Sequence, residues 1–323
     1  MTFLPRLFAG TFAALCAATS LAADTVRYAT DGFGLGGLVV LANEKGYFKD
    51  EGIDAVIQTY AYGVDTVDAV LAGQADFGVI IDMPSMPRLK TGNLASVAIV
   101  GVPKPGFHKL FQRAEITTAD DLKGKTVAIA TGTSQEFITR TWLSNMGLDP
   151  ETDVNLTGFA DLFSVVGAMK AGRIDAVWLW LDGVDMMKED DRYSLVADDS
   201  IVNQDTTTLL LTSASFNQEK PELVVATLKA LHRAVGDVNS DLEGSAEMVA
   251  SKLGADAGKV ANAFSNNQFG LTFASGPVAA YKAKYEFLLS AGKIEPFDIF
   301  ATFDSSALVQ AVPEAEIDPM LAK

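Results

Sequence analysis

Cysteine is almost missing. The 323 residues hold one, Cys16, inside an apolar stretch at the start. The residues beyond it can build no disulfide framework, thiolate metal site or cysteine nucleophile. Histidine is nearly as scarce, with His108 and His232 alone, and no G-x-S-x-G turn marks a serine nucleophile. Basic residues are outnumbered: 25 Lys and Arg against 41 Asp and Glu leave a net charge of -16. That is the wrong sign for a chain that neutralises phosphates along nucleic acid. Past residue 22 no window approaches the roughly 20 uninterrupted apolar residues of a membrane-spanning helix. The expectation is therefore a binding protein rather than an enzyme, with no metal, no cofactor and no nucleic-acid partner.

What is present begins with an address. Met1 to Arg6 carries one positive charge, Leu7 to Ala18 is apolar and uncharged, and Ser20-Leu21-Ala22 offers small residues at a cleavage point. Residues 1–22 read as a secretory signal peptide, which predicts export to the periplasm and a soluble mature protein with a large packed core. Thereafter strand and helix patterns alternate. Val26 to Thr30, Ala55 to Tyr60, Phe77 to Ile81 and Thr126 to Ala130 are β-rich, helical patterns lie between the first three and after the last, and a Pro-containing segment, Met83 to Pro87, follows the third. This alternation predicts an α/β fold with mostly parallel sheets flanked by helices. The segment Ala69 to Asp76 (AVLAGQAD) is echoed by Ala168 to Asp175 (AMKAGRID) 99 residues later. Each reads as helix end, glycine, aspartate, strand, so two similar lobes are expected. Beyond Leu211 the chain is mostly helical, with Pro221 in a first helical turn.

One ordered set of motifs is familiar: Gly46-Tyr47-Phe48 with Glu51-Gly52-Ile53, Ala72-Gly73-Gln74-Ala75-Asp76-Phe77-Gly78, Asp121-Leu122-Lys123-Gly124-Lys125, and Gly172-Arg173-Ile174-Asp175-Ala176-Val177. Together they resemble the periplasmic solute-binding proteins of ABC transporters. The likeness is narrower to the nitrate, sulfonate and taurine-binding group, which is related to the thiamine-pyrimidine-precursor binders. The resemblance implies a two-lobed type II periplasmic-binding-protein fold with a ligand cleft between the lobes. Lobe I would be residues 23–111 and 212–323, and lobe II residues 112–211, joined by crossings near Leu110 to Gln112 and Thr208 to Thr212. It also implies a small-molecule ligand, an ABC transporter permease in the inner membrane as partner, and a monomer.

Ligands of open α/β sheets collect beyond the carboxyl ends of strands, which selects the candidate residues whatever the family. After the first strand stand Asp31, Phe33 and Gly34, where a tight turn would explain the glycine equally well. After the second come Tyr62 and Asp65, the latter also a candidate helix cap. After the third come Asp82 and Met83; a carboxylate there is costly to bury unpaired, so exposure to the cleft is expected, with a structural hydrogen bond as the rival. In lobe II, Thr131, Thr133 and Ser134 open a helix. Thr133 to Glu136 reads as a capping box whose remaining N–H groups would favour an anionic or carbonyl oxygen. Trp178, Trp180 and Asp182 alternate, so period two places them on one strand face, with Trp180 as aromatic contact and Trp178 in the core.

The segment Gly32 to Gly37 also fits G-x-G-x-x-G after a strand, with Asp54 downstream, so an exported dinucleotide-binding oxidoreductase is the competing reading. For the ligand, the candidate cleft holds Asp31, Asp65, Asp82 and Asp182 but no Lys or Arg. Acid without base suggests a positive nitrogen: an aminosulfonate such as taurine, or an amino-heterocycle stacked on Trp180.

Overall fold

The computed structural model describes residues 23–31, 36–60, 63–202 and 206–322. The proposed signal peptide, Phe33, Gly34 and Tyr62 lie outside the described residues. In chain order the strands are β1 (Asp24–Thr30), β2 (Ile53–Thr59), β3 (Phe77–Ile81), β4 (Leu94–Pro103), β5 (Lys109–Arg113), β6 (Thr126–Ala130), β7 (Asn155–Phe159), β8 (Ala176–Leu179), β9 (Tyr193–Asp198), β10 (Thr208–Ser213) and β11 (Asn267–Thr272). They form two sheets, β11-β4-β10-β3-β1-β2 and β7-β6-β8-β5-β9.

The two sheets share a plan. Each contains a parallel trio, β2-β1-β3 in the first and β7-β6-β8 in the second. Each trio is flanked by an antiparallel strand, β10 beside β3 and β5 beside β8. The sheets are therefore mixed, and parallel pairing between named strands is confined to the trios. The reason lies in the connections. Trio strands run toward one seam between the sheets, and so do β4 and β9. The chain leaves β4 at Pro103 and β9 at Asp198, crosses between the sheets, and enters β5 at Lys109 and β10 at Thr208 from that seam, so both run away from it.

The sequence repeat is a structural repeat. Asp76 accepts Arg27 N–H (2.8 Å) and the Arg27 guanidinium (2.7 Å), while Arg27 Nη1 donates to the Gly73 carbonyl (2.7 Å). In the second sheet Asp175 accepts Thr126 N–H (2.8 Å) and Arg113 Nε (2.7 Å), while Arg113 Nη2 donates to the Gly172 carbonyl (2.5 Å). Gly73 and Gly172 adopt φ of 69° and 71°, a left-handed turn that costs glycine little. Each motif thus staples a helix end to the start of the next strand.

Apolar side chains cover both faces of the sheets. One large core joins β1, β3, β4 and β10 to the helices Gly37–Glu44, Asp82–Leu89 and Pro221–Ser240. On the second sheet, alternate residues feed separate cores: Leu110, Val127 and Trp178 on one face, Phe111, Ala128 and Val177 on the other. Trp178 is fully buried, with its ring edge-on to Trp142 at 5.9 Å. Among the described residues no helix is long and apolar enough to cross a membrane.

Candidate functional site

The seam places the carboxyl ends of both trios near one another, and Asp82 stands at its centre. Its carboxylate is fully buried and holds four donors: Met83 N–H (2.7 Å) and Ser134 Oγ (2.7 Å) on Oδ1, Thr207 N–H (2.8 Å) and Lys284 Nζ (2.7 Å) on Oδ2. Asp82 is thus not open to a cleft, as its strand-end position suggested, but paired. Lys284, from the helix Ser275–Ser290, is itself fully buried. The site therefore holds a cation, and the inference from acid without base falls. Its signal was in the sequence: Val278, Tyr281, Lys284, Tyr285 and Leu288 share one helix face at three- and four-residue spacing, and a lysine on an apolar face demands a carboxylate. Tyr281 closes the network through Ser85 Oγ at 2.7 Å, and burial pushes its phenol pKa up.

From the second sheet, the helix Ser134–Asn145 points its first turn at Asp82. The expected capping box is replaced by a different pairing. Thr133 Oγ1 donates to the Ala130 carbonyl (2.7 Å), and Glu136 reaches past Thr133 to accept Gly132 N–H (2.9 Å). Gly132 makes this possible by turning at φ 77°. Glu136 is buried and also accepts Arg140 Nε (2.9 Å) and Lys293 Nζ (2.7 Å), the latter from the first-sheet side. Burial raises its pKa, but the bonds from Gly132, Lys293 and Arg140 outweigh that and hold it below the usual glutamate value. Beside them Phe137 packs edge-on to Phe287 at 5.1 Å and joins the first core.

The other expected residues are dispersed. Asp31 follows β1, where its Oδ1 accepts Gly36 N–H at 3.0 Å. Asp65 lies in the first turn of the helix Gly63–Leu71. Met83 is buried in the core, and Thr131 is exposed. Trp180 is half-buried, its ring edge-on to His108 at 5.7 Å. Asp182 does not share its face: β8 ends at Leu179, and Asp182 opens the helix Asp182–Met187, where it meets Lys259 of the first-sheet side at 3.3 Å. Period two fails because the strand stops two residues early. At the strand ends Thr30 Oγ1 and Thr207 Oγ1 are buried with no hydrogen-bond partner among the described residues. Such atoms are uncommon in native proteins.

Two further features lie aside. Asp54 pairs with Thr25 at the beginning of β2, the wrong end for the acidic residue of a dinucleotide fingerprint. A surface depression of about 510 Å³, lined by Leu89, Lys90, Asn217, Phe297 and Asp298, opens at the far end of the first sheet, away from the seam.

Two sheets of this layout meeting at a polar seam are the periplasmic-binding-protein architecture. The aliphatic sulphonate binding protein SsuA of Escherichia coli superimposes with a TM-score of 0.72 at 20% identity, over 85% of this chain and 90% of that one. The desulfurization enzyme DszB does so with a TM-score of 0.64 at 16% identity, over 90% and 99%. Residues 37–241 match the NMT1/THI5-like family, and the chain belongs to it. A Brucella abortus protein known only as a binding protein is 29% identical over 193 residues. That match spans 58% of this chain and 57% of the relative, little more than half of either.

Proposed function

We propose that the protein is an extracytoplasmic solute-binding protein whose two lobes are built on the two sheets; they divide between Pro103 and Lys109 and between Asp198 and Thr208, a few residues before the expected crossings, because β5 belongs wholly to the second sheet and β10 wholly to the first. It would capture a small polar organic molecule containing nitrogen or sulfur and deliver it to an ABC importer. The observation that carries this reading is the seam itself. Both trios end there, the halves touch through a few polar and aromatic contacts, and the buried Thr30 and Thr207 hydroxyls have no hydrogen-bond partner among the described residues. The same fold serves binding proteins and a desulfurization enzyme, so the choice rests on the site. Here Asp82 is held by Lys284 and Glu136 by Arg140 and Lys293, each with backbone donors besides, an arrangement suited to shape and polarity rather than proton transfer.

A ligand that touches both halves binds the closed form better than the open, and only that difference moves the hinge. Taurine, other sulfonates and amino-heterocycles remain the class to test. Sulfonate oxygens suit the hydroxyls and helix N–H groups, and a flat heterocycle suits Trp180. Residues 1–22 would direct export to the periplasm, and a monomer would dock on the inner-membrane permease. Calorimetry with taurine, an alkylsulfonate, nitrate and an aminopyrimidine tests the proposal, alongside mass spectrometry of any ligand carried through purification. One organic compound should bind near micromolar affinity, about 8 kcal/mol. Tight binding of nitrate alone, or of none of the four with nothing carried over, contradicts it.

A further inference from the structure

The two chain passages between the sheets are tied together at a single carboxylate. Asp199 opens the second passage and accepts three donors from the first: Gly106 N–H (2.5 Å), His108 N–H (2.9 Å) and His108 Nδ1 (2.8 Å). Its own N–H donates back to the His108 carbonyl at 3.0 Å. Both residues are buried, His108 at 5% and Asp199 at 9% exposure. Burial raises the Asp199 pKa, but the His108 bonds outweigh it and keep the carboxyl below the usual aspartate value, hence ionised and accepting. The neighbouring charges are Asp198 and Lys109, which pair with each other at 3.4 Å.

The held imidazole then meets Trp180 edge-on, at 5.7 Å and 64°. The next residue, Leu181, adopts φ 44° and ψ −125°, and among the described residues it is the only non-glycine with positive φ. Such a backbone persists only where its surroundings over-determine it, and such sites cluster where a side chain must be presented. Here the Trp180 and Leu181 carbonyls accept Gly183 and Val184 N–H, at 3.0 Å each. The clasped imidazole packs on the indole, and the strained turn fixes the backbone that carries it.

We propose that His108, held by Asp199, is a positioning residue that sets the Trp180 indole at the seam, with the Leu181 turn completing the mount. Because the clasp is made from the two passages themselves, the pose of Trp180 is coupled to the hinge. The functional meaning rests on the reading of Trp180 as ligand-facing, but the placement does not, and it is measured without ligand. Subtracting the fluorescence of Trp180→Phe isolates the Trp180 emission. His108→Phe keeps a ring without the donor, and His108→Asn keeps a donor without the ring. In each folded variant the Trp180 emission shifts to the red and acrylamide quenches it more strongly, and Leu181→Gly does the same by freeing the turn. Unchanged emission and quenching in the folded His108 variants overturns the proposal. Should those variants not fold, unchanged quenching in Leu181→Gly overturns it instead. Failure here leaves the calorimetry standing, and failure of the calorimetry leaves this result standing.

Discussion

At the scale of single residues, the molecule turns on Asp82 and Lys284, a fully buried ion pair. Removing one partner of such a pair strands the other charge, which typically costs about 3–5 kcal/mol. Lys284→Met should therefore lower the urea midpoint strongly, and a near-native midpoint would show that the pair carries little of the fold's stability. Trp180→Ala should weaken ligand binding by about 1–2 kcal/mol while barely changing stability, because the ring is half-buried and outside the main cores. Calorimetry and thermal unfolding separate the two effects, and an unchanged affinity removes Trp180 from the site. The sequence exposed Asp82 as special through its strand-end position. It hid the partner, because Lys284 lies 202 residues away and only the apolar face around it betrays burial.

At the scale of elements, local pattern was a good guide where one element decides its own fate. The apolar runs Phe77–Ile81 and Thr126–Ala130 are strands with those bounds, and Pro221 begins its helix. Pattern failed where tertiary contacts decide. Continuing the strand of Trp178 to Leu181 placed Asp182 beside Trp180, yet the chain turns sharply at Leu181. The box at Thr133 was misread because Glu136 answers to Gly132, Arg140 and Lys293 rather than to its own cap. The strand β11 escaped notice because it lies between helices in a mostly helical stretch, although it pairs with β4 and sends Phe269 and Leu271 into the core. The repeated staple makes a paired prediction. Asp76→Ala and Asp175→Ala each leave an arginine and a backbone N–H without their carboxylate, and each should cost about 1–3 kcal/mol in urea unfolding. A large loss from one and none from the other would break the equivalence.

At the scale of the whole molecule, the seam is arranged so that parting it strands no charge. If the halves separate, Asp82 loses only Ser134 Oγ and keeps Lys284, Met83 N–H and Thr207 N–H. Glu136 likewise loses Lys293 but keeps Arg140 and Gly132 N–H. Opening then costs on the order of one hydrogen bond at each point, about 1 kcal/mol, rather than the penalty of an unpaired buried ion. Ser134→Ala should accordingly shift the ligand-free protein toward open forms with little change in unfolding midpoint, the reverse of Lys284→Met. Acid should act at the same place. Because the Glu136 pKa is depressed in the fold, its contribution is complete above the ordinary value of 4.5 and fades as the pH falls through the lower folded value. The stability lost on acidification should be smaller in Glu136→Gln, and an identical acid profile would remove Glu136 from the account.

The central claim is that two halves swing about the passages joining β4 to β5 and β9 to β10 and close on a solute. Small-angle scattering on the mature chain, with and without whichever compound calorimetry shows to bind, tests it most directly. The account predicts a smaller radius of gyration with ligand, and a larger ligand-free radius in Ser134→Ala than in the wild type. A radius that ligand and substitution both leave unchanged would contradict it.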